Sequence, residues 1–223
     1  MNYPNLNEEK KLWKKGYRYV AGIDEVGRGP LAGSVVACAV TINLKHKIQN
    51  KKLQFENQKL LKETNDSKKL SAKKREELYG VLISHNSHKE IEWGIGKVSE
   101  KVIDKINIKN AAELAMYRAI KKLKKMPDFL LIDGNHLNSK KLKAKKHKLI
   151  IRGDSKVFSI ACASIIAKVT RDRMMMQCHR KYPQYGFDKH KGYPTKLHKK
   201  MIKKYGILVV HRKTFYPLKK RGK

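Results

Sequence analysis

The sequence predicts an α/β fold: a central mixed sheet with helices on its faces and a helical appendage at the C-terminus. Three observations carry this. Short apolar runs of strand length alternate with stretches of helical spacing. Several of those runs end in an acid beside a glycine, as in Asp133-Gly134 and Gly153-Asp154. From Tyr182 onward the composition shifts to Pro183, Gly186, Gly192 and Pro194 with interleaved aromatics, ahead of a lysine-rich helical stretch.

Taken in order, residues 1–17 read as a short basic leader, where Leu12 and Trp13 among Lys10, Lys11, Lys14 and Lys15 suit an amphipathic turn. Arg18–Asp24 and Ser34–Ile42 are apolar strands. The glycine-rich corner between them makes a hairpin. Residues 43–65 are lysine-rich and weakly periodic, a loop with a short helix near Phe55–Leu61. Ser71 is placed to cap a helix over Ala72–His85, in which Leu78, Val81 and Leu82 share helical spacing. Glu90–Val98 alternates as a third strand. Asn107 caps a helix over Ile108–Lys124. Pro127–Gly134 is a buried strand, and beyond the basic loop Ser139–Lys148 a further strand spans Leu149–Asp154. A long helix, Ser159–Lys181, turns Ile160, Ala163, Ala167 and Met174 inward. Thr195 caps a last helix ending near Gly206. The chain thus divides into the leader, an α/β body over 18–181 and an extension over 182–223.

Charge is the outlier. Lys and Arg number 53 against 19 Asp and Glu, a net charge of +34, which favours a polyanionic partner. The competing explanation is a generally lysine-rich composition whose charge is solvated. Cys38, Cys162 and Cys178 show no paired spacing and fit a reducing compartment. No apolar run approaches the ~20 residues that span a bilayer, and the start lacks a signal-peptide core. These features predict a soluble, cytoplasmic protein, and a monomer is expected.

Three predicted strands end in acids: Asp24 with Glu25, Asp133, and Asp154. Ligand sites in α/β sheets gather beyond strand ends. Converging carboxylates repel unless a cation lies between them, and hard divalent ions such as Mg²⁺ or Mn²⁺ do that while accepting phosphate. Asp133 and Asp154 can equally be loop-starting acids. Successive strand residues point to opposite faces. So either the strand breaks at Glu25, or one of the Asp24-Glu25 pair reaches the ion through its backbone carbonyl.

Six blocks resemble bacterial ribonuclease HII, in that family's order. They are Gly22-Ile23-Asp24-Glu25-Val26-Gly27-Arg28-Gly29-Pro30-Leu31-Ala32-Gly33, Asp66-Ser67-Lys68-Lys69-Leu70, Leu131-Ile132-Asp133-Gly134-Asn135, Arg152-Gly153-Asp154-Ser155-Lys156, the run Ala163–Asp172 and the run Tyr185–Thr195. The resemblance implies an RNase H-like fold and a two-metal endonuclease that cuts the RNA of RNA–DNA hybrids. It further implies incision on the 5′ side of single ribonucleotides in duplex DNA, leaving 3′-hydroxyl and 5′-phosphate ends, with a place in ribonucleotide excision repair. It maps four catalytic acids onto Asp24, Glu25, Asp133 and Asp154, the first three as principal ligands of Mn²⁺ or Mg²⁺. Gly27, Arg28 and Gly29 would approach the ribonucleotide 2′-hydroxyl, and Tyr193 would pack on the following deoxyribose. Lys68 and Lys168, with Lys69 and Lys191, would contact phosphates. A sliding clamp is a possible protein partner. The aspartate at 154 and the short leader resemble ribonuclease HII more than its sister, ribonuclease HIII. Ser34 stands where the family commonly has proline.

Asp172 lies four residues after Lys168 on one helix, the spacing of an ion pair, and is set apart from the four acids. His190 and His211 are candidate phosphate contacts, set against the plainer and preferred reading of packed or solvated side chains. A non-catalytic RNA-binding protein would explain the charge, and a different nuclease or recombinase would explain the acids. Binding alone gives no reason to place acids at three strand ends in so basic a chain.

Overall fold

The computed structural model describes residues 3–42, 70–87, 91–135, 137 and 146–218. The expected helix near Phe55–Leu61, Lys68, Lys69 and most of the Ser139–Lys148 loop lie outside them. Five strands form one mixed sheet: β1 (Val20–Val26), β2 (Val35–Ile42), β3 (Ile91–Val98), β4 (Phe129–Asp133) and β5 (His147–Ile150), in the order β3-β2-β1-β4-β5. The β1–β2–β3 meander is antiparallel, while β4 and β5 run parallel to β1. Seven helices accompany it among the described residues: α1 (Asn7–Lys14), α2 (Ala72–Ser87), α3 (Glu100–Ile106), α4 (Ile108–Ile120), α5 (Phe158–Lys181), α6 (Phe187–His190) and α7 (Lys196–Tyr205).

The uninterrupted apolar run of β2 follows from burial on both faces. Val35, Ala37 and Ala39 pack with Ala111, Ala115 and Ala119 of α4. The alternate set, Val36, Cys38 and Val40, packs with Cys162, Ala163 and Ile166 of α5 and with Leu78 and Leu82 of α2. Helix α5 also crosses β1 at Gly22, where a Cβ would lie 2.4 Å from the Ser159 backbone. Only glycine admits that approach. The C-terminal segment packs through Tyr185 and Phe187 onto Ala32 and Met175.

Several boundaries differ from expectation. The first strand runs two residues beyond Asp24, held by pairs from Ala21↔Thr41 to Val26↔Val36. The expected helix over Ile108–Lys124 is preceded by a separate one, α3, because Asn107 takes φ 63° and breaks the axis. The Asn107 side chain still accepts the Asn110 N–H, as capping required. Ser71 and Thr195 likewise accept the N–H groups of Lys74 and His198. The leader carries a two-turn helix, α1, with Glu9 and Leu12 buried. The last strand stops at Ile150, so Asp154 sits in a 3₁₀ turn, Gly153–Ser155, entered through Arg152 at φ 56°. Its register with β4 ends at Asp133↔Ile150, beyond which no strand partner remains.

Candidate active site

Period-two alternation sends Asp24 to the α5 side of the sheet, the side of Gly22, and Glu25 to the other. Asp133 is the last residue of β4. Its Oδ1 accepts the Gly153 N–H at 2.6 Å, which ties the end of β4 to the turn that carries Asp154. Carboxylate oxygens of Asp24, Asp133 and Asp154 all lie within 4.8 Å of one another. Asp24 and Asp154 are buried, Asp133 partly so. Three carboxyl groups this close, drawn from three elements, form an all-oxygen donor set that suits a hard divalent ion.

The electrostatics agree. Burial pushes the Asp24 carboxyl well above the ordinary carboxylate range, and the charges of Glu25 and Asp133 push it further. A hydrogen bond from Ser164 on α5 opposes this. Asp24 Oδ1 also accepts the Glu25 N–H at 2.7 Å. The Glu25 carboxylate stands outside the cluster and pairs with Arg28 at 3.0 Å. Burial raises Glu25 as well, with Arg28 opposing.

Beside the acids lies the corner Gly27–Gly33. Gly27 has φ 93°, and a Cβ there would fall 2.3 Å from Arg171 Nε, so both backbone and space demand glycine. The exposed Tyr193 ring borders Gly29, 3.7 Å from where a Cβ would stand. Two fully buried arginines hold this corner. Arg171 of α5 donates to the carbonyls of Ser34, Lys191 and Ala32 at 3.1, 3.0 and 3.1 Å. Arg212 donates to Arg28 and Gly27 at 3.0 and 2.6 Å and twice to Gly33, at 2.9 and 2.7 Å. Burial, then the Arg171 charge, pulls Arg212 down to about 9, which leaves it cationic at neutral pH.

Histidines support Tyr193 from behind. The Leu208 N–H donates to His211 Nδ1 at 2.7 Å, which puts the imidazole proton on Nε2. That proton points to His198 Nε2 at 3.1 Å, and His198 Nδ1–H donates to the Tyr193 carbonyl at 2.9 Å. Both rings are neutral, with burial depressing each to about 4. His190, also buried, accepts the Gly192 N–H at 3.1 Å. His190 and His211, whose preferred reading from sequence is packed or solvated, are packed.

Lys168 is bound to Asp172 at 2.7 Å, the ion pair that their spacing anticipated. Lys191 Nζ turns to the Asp188 carbonyl. Sequence reasoning missed Ser164, Arg171 and Arg212 as parts of the site. Arg171 and Arg212 are fully buried, but among 53 basic residues nothing in the sequence marks these two out.

The chain is similar to known proteins in both sequence and fold. The family model described as Ribonuclease HII matches residues 21–217. The chain is 47% identical to a ribonuclease HII of Clostridioides difficile, over 93% of this chain and 73% of that protein. The ribonuclease H2 structure from Pyrococcus horikoshii superposes with a TM-score of 0.67 and 26% identity, covering 90% of this chain and 95% of that one. A ribonuclease HII solved in complex with PCNA, from Archaeoglobus fulgidus, gives 0.66 at 25% identity, over 92% and 97%. No helix among the described residues is long and apolar enough to cross a membrane.

Proposed function

Since the chain belongs to the ribonuclease HII family, and is thus a ribonuclease H-type hydrolase, we propose that it cleaves the RNA strand of RNA–DNA hybrids and incises 5′ of single ribonucleotides in duplex DNA, leaving 3′-hydroxyl and 5′-phosphate ends. The observation that carries this is the Asp24–Asp133–Asp154 cluster within 4.8 Å, inside a chain of net charge +34. The charge suits a nucleic acid, and the acids would repel one unless they held cations.

Asp24, Asp133 and Asp154 fit that role through their carboxylates. The strand continues through Glu25 and its side chain is paired with Arg28, so the carbonyl of Glu25 is the group that would join them. Bound there as a pair, Mg²⁺ or Mn²⁺ would lower the pKa of an attacking water and stabilise the leaving 3′-oxygen. Ser164 orients Asp24, and the Gly153 N–H orients Asp133.

Substrate reading falls to the corner. Gly29 brings bare backbone to the surface, with the turn at buried Gly27 behind it, where a 2′-hydroxyl, the group that separates RNA from DNA, would approach. Arg28 flanks them. Tyr193, 40% exposed beside Gly29, offers a ring face to the next sugar. Lys168 lies on the same helix as Ser164, and Lys68 would contact a phosphate from the segment outside the described residues. In this reading 18–181 is the catalytic unit, and 182–223 an extension that grips substrate and presents Tyr193. The PCNA complex of the Archaeoglobus relative supports a sliding-clamp contact as a route of recruitment.

The test is a labelled DNA duplex that holds one ribonucleotide, incubated with Mg²⁺, with Mn²⁺ or with chelator. A single cut 5′ of the ribonucleotide that requires metal is expected. No cut with either ion, or equal cutting in chelator, would refute the reading.

A further inference from the structure

Helix α5 touches every part of the site: Ser159 lies against Gly22, Ser164 bonds Asp24, and Arg171 holds the corner. A helix leaves its first N–H groups without internal partners. The residue at the cap position, Val157, has no side-chain oxygen to accept one, and no side-chain cap bond forms there.

The leader supplies what Val157 lacks. The Asn5 carbonyl accepts the Phe158 N–H at 3.0 Å. Glu9 Oε1 accepts the Ser159 N–H at 2.9 Å, across 150 residues of sequence. Glu9 is 1% exposed, an uncommon place for a carboxylate unless a partner holds it. Its position at a helix N-terminus also matches the sign of the helix dipole. The Asn5 N–H in turn donates to the Lys156 carbonyl at 3.1 Å, so the leader pairs with the segment that leaves the Asp154 turn. Leu6 and Leu12 anchor it against Phe158, Val157 and Ile160.

We infer that the leader is a positioning element of the active site: Asn5 and Glu9 cap α5 from outside and thereby set the distance between Ser164, Asp24 and the Asp154 turn. Glu9 is a positioning residue here, since it touches none of the acids. The inference rests on the reading of those acids as a divalent-ion site.

Groups that orient metal ligands from behind typically cost 10–100-fold in affinity or activity when removed. The experiment is calorimetric titration of Mn²⁺ into the full chain, its Glu9→Ala variant and its Glu9→Gln variant, with hybrid KM and kcat measured alongside. In Glu9→Ala, Mn²⁺ affinity is expected to fall about tenfold and kcat to fall with it, at unchanged KM. Glu9→Gln keeps an oxygen for the Ser159 N–H and is expected to lose less. It also carries the test if the alanine variant does not fold. Variants that melt earlier but bind Mn²⁺ as the parent does would overturn the inference and leave the metal site standing. A parent that binds no Mn²⁺ would overturn both.

Discussion

Replacing Asp24 with asparagine tests the repulsion within the site. Its carboxylate lies within 4.8 Å of those of Asp133 and Asp154. At an effective dielectric near 20, each such pair repels by about 3.5 kcal/mol. The strain is capped, because Asp24 can instead take up a proton. Against an ordinary carboxyl value near 3.9, that uptake costs about 4 kcal/mol at pH 7. Asparagine removes the charge and keeps an oxygen for the Glu25 N–H, now 2.7 Å away. It disturbs the Ser164 bond, worth about 1 kcal/mol. In chelator the variant should therefore be more stable than the parent by about 1–3 kcal/mol, a rise in Tm on the order of 5 °C for a chain this long. Mn²⁺ at about 100 times its Kd should stabilise the parent by about 2.7 kcal/mol and the variant hardly at all. Thermal melts with and without metal read both. A variant less stable than its parent in chelator, or one that gains equally from metal, would refute the reasoning.

Arg212→Lys should lower stability by about 1–3 kcal/mol, because a point ammonium cannot meet the Gly27, Arg28 and Gly33 carbonyls that the fork meets together. An unchanged urea midpoint would show those carbonyls satisfied otherwise. Tyr193→Ala should slow cutting at an embedded ribonucleotide more than within a long hybrid, and equal losses on the two substrates would remove its junction-reading role. Acid should weaken the tail's hold on Tyr193. His198 and His211 sit at about 4 in the fold, whereas the unfolded chain protonates them near 6.5. The unfolded state thus binds more protons in that window, and stability is lost as pH falls from 6.5 toward 4, by up to about 3 kcal/mol per histidine. The raised carboxyls of Asp24 and Glu25 pull the other way, so the readout is a comparison. His211→Gln should flatten the acid slope of the denaturation midpoint, and an unaltered slope would count against the neutral relay.

Much of this architecture could be read before any coordinates. The run Val35–Val40 reads as a strand from its unbroken apolar character, which it has because both α4 and α5 cover it. Asp133 reads as a strand end because β4 does stop there. Asp154 was harder. Leu149 and Ile150 carry the strand signal, but Arg152 at φ 56° turns the chain away, and only the 3₁₀ turn brings the carboxylate to the others. Helix α3 escaped notice because seven residues hold too little periodicity to register and Asn107 merges it with the next. The leader looks like a solvated, lysine-decorated stretch. Its worth to the fold rests on Glu9 and Asn5, whose partners lie about 150 residues away, at a distance no local pattern reports. The same holds for Arg171 and Arg212, whose guanidiniums are bound by carbonyls, groups present at every position of the chain.

The most direct measurement is anomalous diffraction from a crystal soaked in Mn²⁺. A peak is expected among the carboxylates of Asp24, Asp133 and Asp154, at a coordination distance of about 2.0–2.6 Å from oxygens of each. Bound manganese elsewhere, with those three side chains left without an ion between them, would contradict this expectation.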